Sequence, residues 1–166
     1  METLKAIPYG SVVAPAGCGK TQAIVTLVET PVVKPPLILT HTNAGVAALL
    51  DRLRRAGITA SAYRLSTIDA WSQHVVYSFP KRAGYDLEPL EPIDYGRIRE
   101  AVLCVARSGA LEKPLKATYS GVLVDEYQDC DFQQHALIWE LSRHLPTRVF
   151  GDPMQAIFDF DGPIVP

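Results

Sequence analysis

The sequence predicts a doubly wound α/β domain, a mostly parallel sheet with helices on both faces, and three observations carry that expectation. Its apolar runs are short and do not alternate with polar residues, as strands buried on both faces require. Such runs recur as a unit, each leading through a turn into a stretch of helical apolar spacing, which is the βα alternation of a parallel sheet. The length of 166 residues, with 48% hydrophobic content, suits one compact domain spanning 1–166.

The elements follow in chain order. A strand over "SVVA" (Ser11 to Ala14) leads through a glycine-containing turn into a helix from about Lys20 to Glu29. "PLILT" (Pro36 to Thr40) leads into a helix from about Ala44 to Ala56, and a further helix lies near Ile68 to Tyr77. The segment "FPKRAGYDLEPLEPID", about 79–94, is rich in proline, glycine and charge and reads as an irregular surface insert. A helix from about Tyr95 to Ser108 brings the chain back to "GVLVDE" (Gly121 to Glu126). The last unit is a helix from Phe132 to Ser142 followed by a strand over "TRVFGD" (Thr147 to Asp152).

Bulk properties exclude several classes. The 16 basic and 18 acidic residues leave a formal charge of -2, so any contact with nucleic acid must be local rather than a global electrostatic attraction. Cys18, Cys104 and Cys130 show no paired spacing, which argues against a disulfide framework or a structural zinc site and fits a reducing, cytoplasmic setting. Neither a secretory leader pattern nor an apolar run long enough for a membrane span is present, so no membrane partner is expected.

Chemistry concentrates at strand ends. In "VVAPAGCGKTQAIV" (Val12 to Val25), a strand, a loop and a helix start follow one another. Backbone N–H groups of such a loop, together with the positive end of the helix, suit a phosphate. Gly17 and Gly19 allow close approach and unusual backbone angles. Lys20 can reach the β and γ phosphates, and the Thr21 hydroxyl can ligate Mg²⁺. In "VLVDEYQDCD" the buried strand delivers Asp125 and Glu126 to the sheet edge where open α/β folds bind ligands. Asp125 is suited to share that Mg²⁺, and Glu126 to orient and deprotonate an attacking water. The plain alternative is a solvated loop that caps the next helix with Asp129 and Asp131. At a third strand end, Gln155 can offer a neutral donor to the γ phosphate. Phe158 and Phe160 are either core residues or a stacking surface for unpaired bases.

Together these segments resemble superfamily 1 helicases, specifically the first RecA-like domain of the UvrD/Rep/PcrA-like group. "APAGCGKT" is similar to that group's AGAGSGKT, which also begins with alanine, and departs from it at Pro15 and Cys18. "DEYQD" (Asp125 to Asp129) resembles its DExQD box, and "GDPMQAIFDFDG" its GDxxQSIYxWRG. "LTHTNAGVAALLDRL" (Leu39 to Leu53) resembles the TFTNKAAxEMxxR segment, and "STIDAW" (Ser66 to Trp71) is a weaker match to TFHS. His41 stands where the group has phenylalanine, and Asp161 where it has arginine.

The resemblance implies a RecA-like P-loop NTPase that uses ATP and Mg²⁺ and acts as the motor domain of an ATP-dependent DNA helicase or translocase. It implies catalytic roles for Lys20, Glu126 and Gln155, the last as γ-phosphate sensor. Nucleotide is implied to lie against Ala14, Pro15, Ala16, Gly17, Cys18, Gly19, Lys20, Thr21 and Gln22, with Asp125, Gln128 and Gln155 around it. Thr21 and Asp125 are the implied metal ligands. Single-stranded DNA is implied to meet Thr40, His41, Thr42, Asn43, Phe158 and Phe160. The sequence given stops soon after the third nucleotide motif, and the resemblance implies a second RecA-like domain in a longer chain or a partner protein. A trans arginine is worth roughly 10³ to 10⁵ in phosphoryl transfer, so the isolated domain is expected to be a weak or inactive ATPase. A nucleotide-gated binding module without unwinding activity is the alternative expectation.

Overall fold

The computed structural model describes residues 6–15, 17–30, 32–85, 93–152 and 154. Five strands form one all-parallel sheet: β1 (Tyr9–Val13), β2 (Leu37–Thr40), β3 (Arg64–Thr67), β4 (Val122–Val124) and β5 (Thr147–Gly151). Their spatial order is β1-β5-β4-β2-β3, so the chain crosses from one side of the sheet to the other after β1 and then works back.

The period of two along a strand explains the layers. Leu37 and Leu39 of β2, with Val122 and Val124 of β4, face one core. Ile38 and Leu123, between them in sequence, face the other with Phe150. Two helices cover this second face: α1 (Lys20–Val28) through Ile24, Val25 and Val28, and α2 (Asn43–Arg55) through Leu49 and Leu53. The first face carries the larger layer: α3 (Ile68–Ser78), the single turn α4 (Pro80–Ala83), α5 (Tyr95–Arg107), α6 (Glu112–Thr118) and α7 (Phe132–Ser142). Among the described residues, no helix is long and apolar enough to cross a membrane.

Helix starts obey local chemistry. Thr42 caps α2 by accepting from the Gly45 N–H at 3.0 Å, and Thr67 caps α3 by accepting from that of Ala70 at 3.1 Å. Asp131 and Gln134 form a reciprocal capping box on α7. Three elements lie outside the sequence expectation. Edge strand β3 has no apolar run, α6 contains Pro114, and α4 occupies the start of the stretch expected to be irregular. Phe79 and Tyr85 flank α4 and pack on the first core, while Ala83 is buried in it.

Candidate nucleotide and nucleic-acid site

A parallel sheet gathers the C-terminal ends of its strands along one edge, and every described candidate residue follows such an end. After β1, Gly17 and Gly19 take φ angles of 75° and 87°. A Cβ added to either meets nothing within 4 Å, so the backbone angle rather than crowding within the protein demands glycine. Lys20 opens α1 with 7% of its surface exposed, and its Nζ donates to the Ala14 carbonyl at 2.7 Å. The ammonium is thereby held against the strand end from which the loop departs. Ala14 in turn donates its N–H to Gly151 O at 3.3 Å, joining the loop to the end of β5. Thr21 is half-buried, whereas Pro15, Cys18 and Gln22 are exposed.

After β4, Asp125 is 5% exposed, and its buried Oδ1 has no hydrogen-bond partner among the described residues. Burial, reinforced by the charge of Glu126, raises its carboxyl from 3.8 to about 6, against the opposing pull of the Glu126 backbone N–H, Lys20 and Arg52. An orphaned hard oxygen at this edge fits Mg²⁺, which keeps most of its octahedral shell for water and phosphate and needs one or two protein groups. No cluster of three or more acidic, histidine or cysteine ligands exists among the described residues. Asp129 also has a partnerless Oδ1, and burial followed by the charge of Glu126 raises its carboxyl above the ordinary range.

Glu126 adopts φ 51°, the left-handed region, alone among the described non-glycine residues. Such strain costs about 1–3 kcal/mol and persists where the surroundings enforce it. Gln128 supplies part of that restraint. Its Nε2 donates to Glu126 Oε2 at 2.9 Å, and its Oε1 accepts from the Asp152 N–H at 2.9 Å. The amide therefore bridges the ends of β4 and β5. Gly151 makes room for it: a Cβ there would stand 2.9 Å from Gln128 Oε1.

Comparison with known proteins matches residues 91–163 to the model of the UvrD/REP helicase N-terminal domain. Over those residues the chain is similar to that domain. The chain also shares its fold with a solved complex of the Arterivirus nonstructural protein 10 helicase with DNA. The TM-score is 0.53 at 15% identity, over 98% of this chain and 33% of that one. The chain thus spans about a third of that helicase's length, and the RecA-like α/β fold is what the likeness shows. No curated protein sequence matches it.

The fold places the expected nucleic-acid segment at the end of β2. Thr40 is only 1% exposed; His41 is half-buried; Thr42 and Asn43 are exposed where α2 begins. Ala16, Gln155, Phe158 and Phe160 lie outside the described residues. Sequence reading missed a polar cluster beside His41, in which Arg99 forks onto Asp69 and reaches Asp131. The D-x-x-Q capping pattern of Asp131 and Gln134 was available as a signal for one end of it. Arg99, in the middle of α5, had none.

Proposed function

We propose that this chain is the first motor domain of a UvrD-like superfamily 1 DNA helicase or translocase, coupling ATP hydrolysis to movement on single-stranded DNA. The observation that carries this reading is the buried Asp125 carboxylate, whose Oδ1 has no hydrogen-bond partner among the described residues, on the same sheet edge as the Gly17–Lys20 loop. A protein with no cation to receive there would gain stability by replacing it. Lys20 and the loop N–H groups bind the phosphates, while Thr21 and Asp125 hold Mg²⁺. The metal, when bound, neutralises charge on the phosphate oxygens. Glu126, aimed by the Gln128 amide, takes the proton of the attacking water. Gln155 senses the γ phosphate, and Gln128 carries the state of the β4 end to that of β5. Full turnover draws on arginines of a second RecA-like domain.

The test is Mg²⁺-dependent binding of a fluorescent ATP analogue. Lys20→Ala is expected to weaken it about a hundredfold or more, the loss of charge-assisted bonds to phosphate. Unchanged affinity in that variant refutes the phosphate-loop assignment.

A further inference from the structure

The polar cluster beside the nucleic-acid segment determines the protonation pattern of His41. Gln134 is 1% exposed, and its Oε1 lies 3.2 Å from the backbone N–H of Asp131. A backbone N–H only donates, so the oxygen of the amide must face it. The other end agrees: Gln134 Nε2 points at Asp69 Oδ1, 3.2 Å away, and a carboxylate only accepts. Neither group permits the flipped amide. His41 Nδ1 also lies 3.2 Å from Gln134 Oε1, so this nitrogen must carry a hydrogen and donate it. Asp69 is itself held by a two-pronged contact from Arg99, at 2.8 and 2.6 Å, and the same guanidinium reaches Asp131 Oδ2 at 2.6 Å. Arg99 thus fastens both ends of the amide's surroundings.

We propose that Gln134 is a positioning residue, anchored by Arg99, which holds His41 as the Nδ1–H tautomer and sets its ring at the edge where single-stranded nucleic acid binds. The assignment rests on the helicase reading for its nucleic-acid part. It also ties the β2 end to the segment carrying the nucleotide-site acids, because Asp131 follows Asp125–Asp129 and caps α7. A ring so held loses little rotational freedom on meeting a base or phosphate, which is the advantage of preorganisation. Residues that orient a contact group affect binding only through that group, and this makes the role separable from simple packing.

The experiment uses the 166-residue chain, with ¹⁵N-labelled histidine for NMR and a fluorescent oligothymidylate as probe. At mildly alkaline pH the His41 nitrogen shifts are expected to report Nδ1–H in the wild type. Gln134→Met, similar in shape and without the amide, is expected to move them toward Nε2–H. The same variant is expected to weaken oligothymidylate binding about three- to tenfold, the range of one net hydrogen bond. In a His41→Ala background, Gln134→Met is expected to add nothing. A wild-type Nε2–H signal overturns the positioning role and needs no variant to fold; additive losses overturn it as well. Wild-type binding by His41→Ala refutes the nucleic-acid reading on which the proposal stands, while the tautomer signal still reports separately on Gln134.

Discussion

Replacing Asp125 by asparagine is expected to stabilise the fold at neutral pH while abolishing its use of Mg²⁺. The carboxyl is raised by burial and by Glu126 from 3.8 to about 6, so the folded state holds a proton that the unfolded chain releases. The sign follows: stability is fully present below the unfolded value and is lost as pH rises through about 6. Across that gap the loss amounts to about 3 kcal/mol, of which about 2 kcal/mol falls between about pH 4.5 and about pH 7.5. An asparagine amide in the same place ionises at neither pH but remains short of partners, at a cost of about 1–2 kcal/mol. The net gain at neutral pH is therefore about 1–2 kcal/mol. Urea unfolding of both proteins in EDTA measures it. The wild type should weaken relative to Asp125→Asn as pH rises, and Mg²⁺ with nucleotide should restore only the wild type. Parallel pH profiles would refute the reasoning, because the proton would then belong to another group.

Two further perturbations test the surrounding framework. Arg99→Met removes three charge-assisted bonds from a partly buried pair of carboxylates and is expected to destabilise the fold by about 2–4 kcal/mol at neutral pH, read by thermal unfolding. Burial would raise the Asp69 carboxyl, but the bonds from Arg99 and Gln134 outweigh it and hold the group below its usual 3.8. The difference between wild type and variant should accordingly persist above that value and shrink as pH falls through the lower folded one. Gly151→Ala puts a Cβ 2.9 Å from Gln128 Oε1 and 3.3 Å from Gln128 N, which is expected to expel the amide from its bridge. Hydrogen exchange at the Asp152 amide should then quicken about tenfold, and unchanged protection would show the bridge to be dispensable.

What the sequence made legible was local. The apolar runs in "PLILT" and "GVLVDE", buried on both faces, announced β2 and β4, and the loop from Ala14 to Lys20 with the Asp125–Glu126 pair marked the candidate site, because each feature spans only a few consecutive residues. β3 stayed hidden because "RLST", at a sheet edge, is only partly buried and lacks the apolar run of a central strand. α6 stayed hidden because Pro114 argues against helix, yet it stands third in the helix, where a backbone N–H has no intrahelical partner to lose. The cluster around Gln134 was illegible for a different reason. Its bonds join residues separated by 30, 32, 65 and 93 positions, and only the folded sheet brings α3, α5, α7 and the β2 end together.

The pairing of β1 has a consequence for the order in which the molecule assembles. Among the described residues this strand bonds to β5 alone, from Tyr9 beside Thr147 to Val13 beside Gly151. The candidate phosphate loop hangs from a strand whose partner, among the described residues, comes after every other strand of the sheet, so a nascent chain carries that loop unanchored until β5 has been made. Contacts this distant in sequence close slowly, after local helices and central strands have formed. Nucleotide affinity should therefore emerge late in folding, once β5 has slotted between β4 and β1, and a polypeptide cut before Thr147 would keep its phosphate-loop sequence while lacking the fold that presents it.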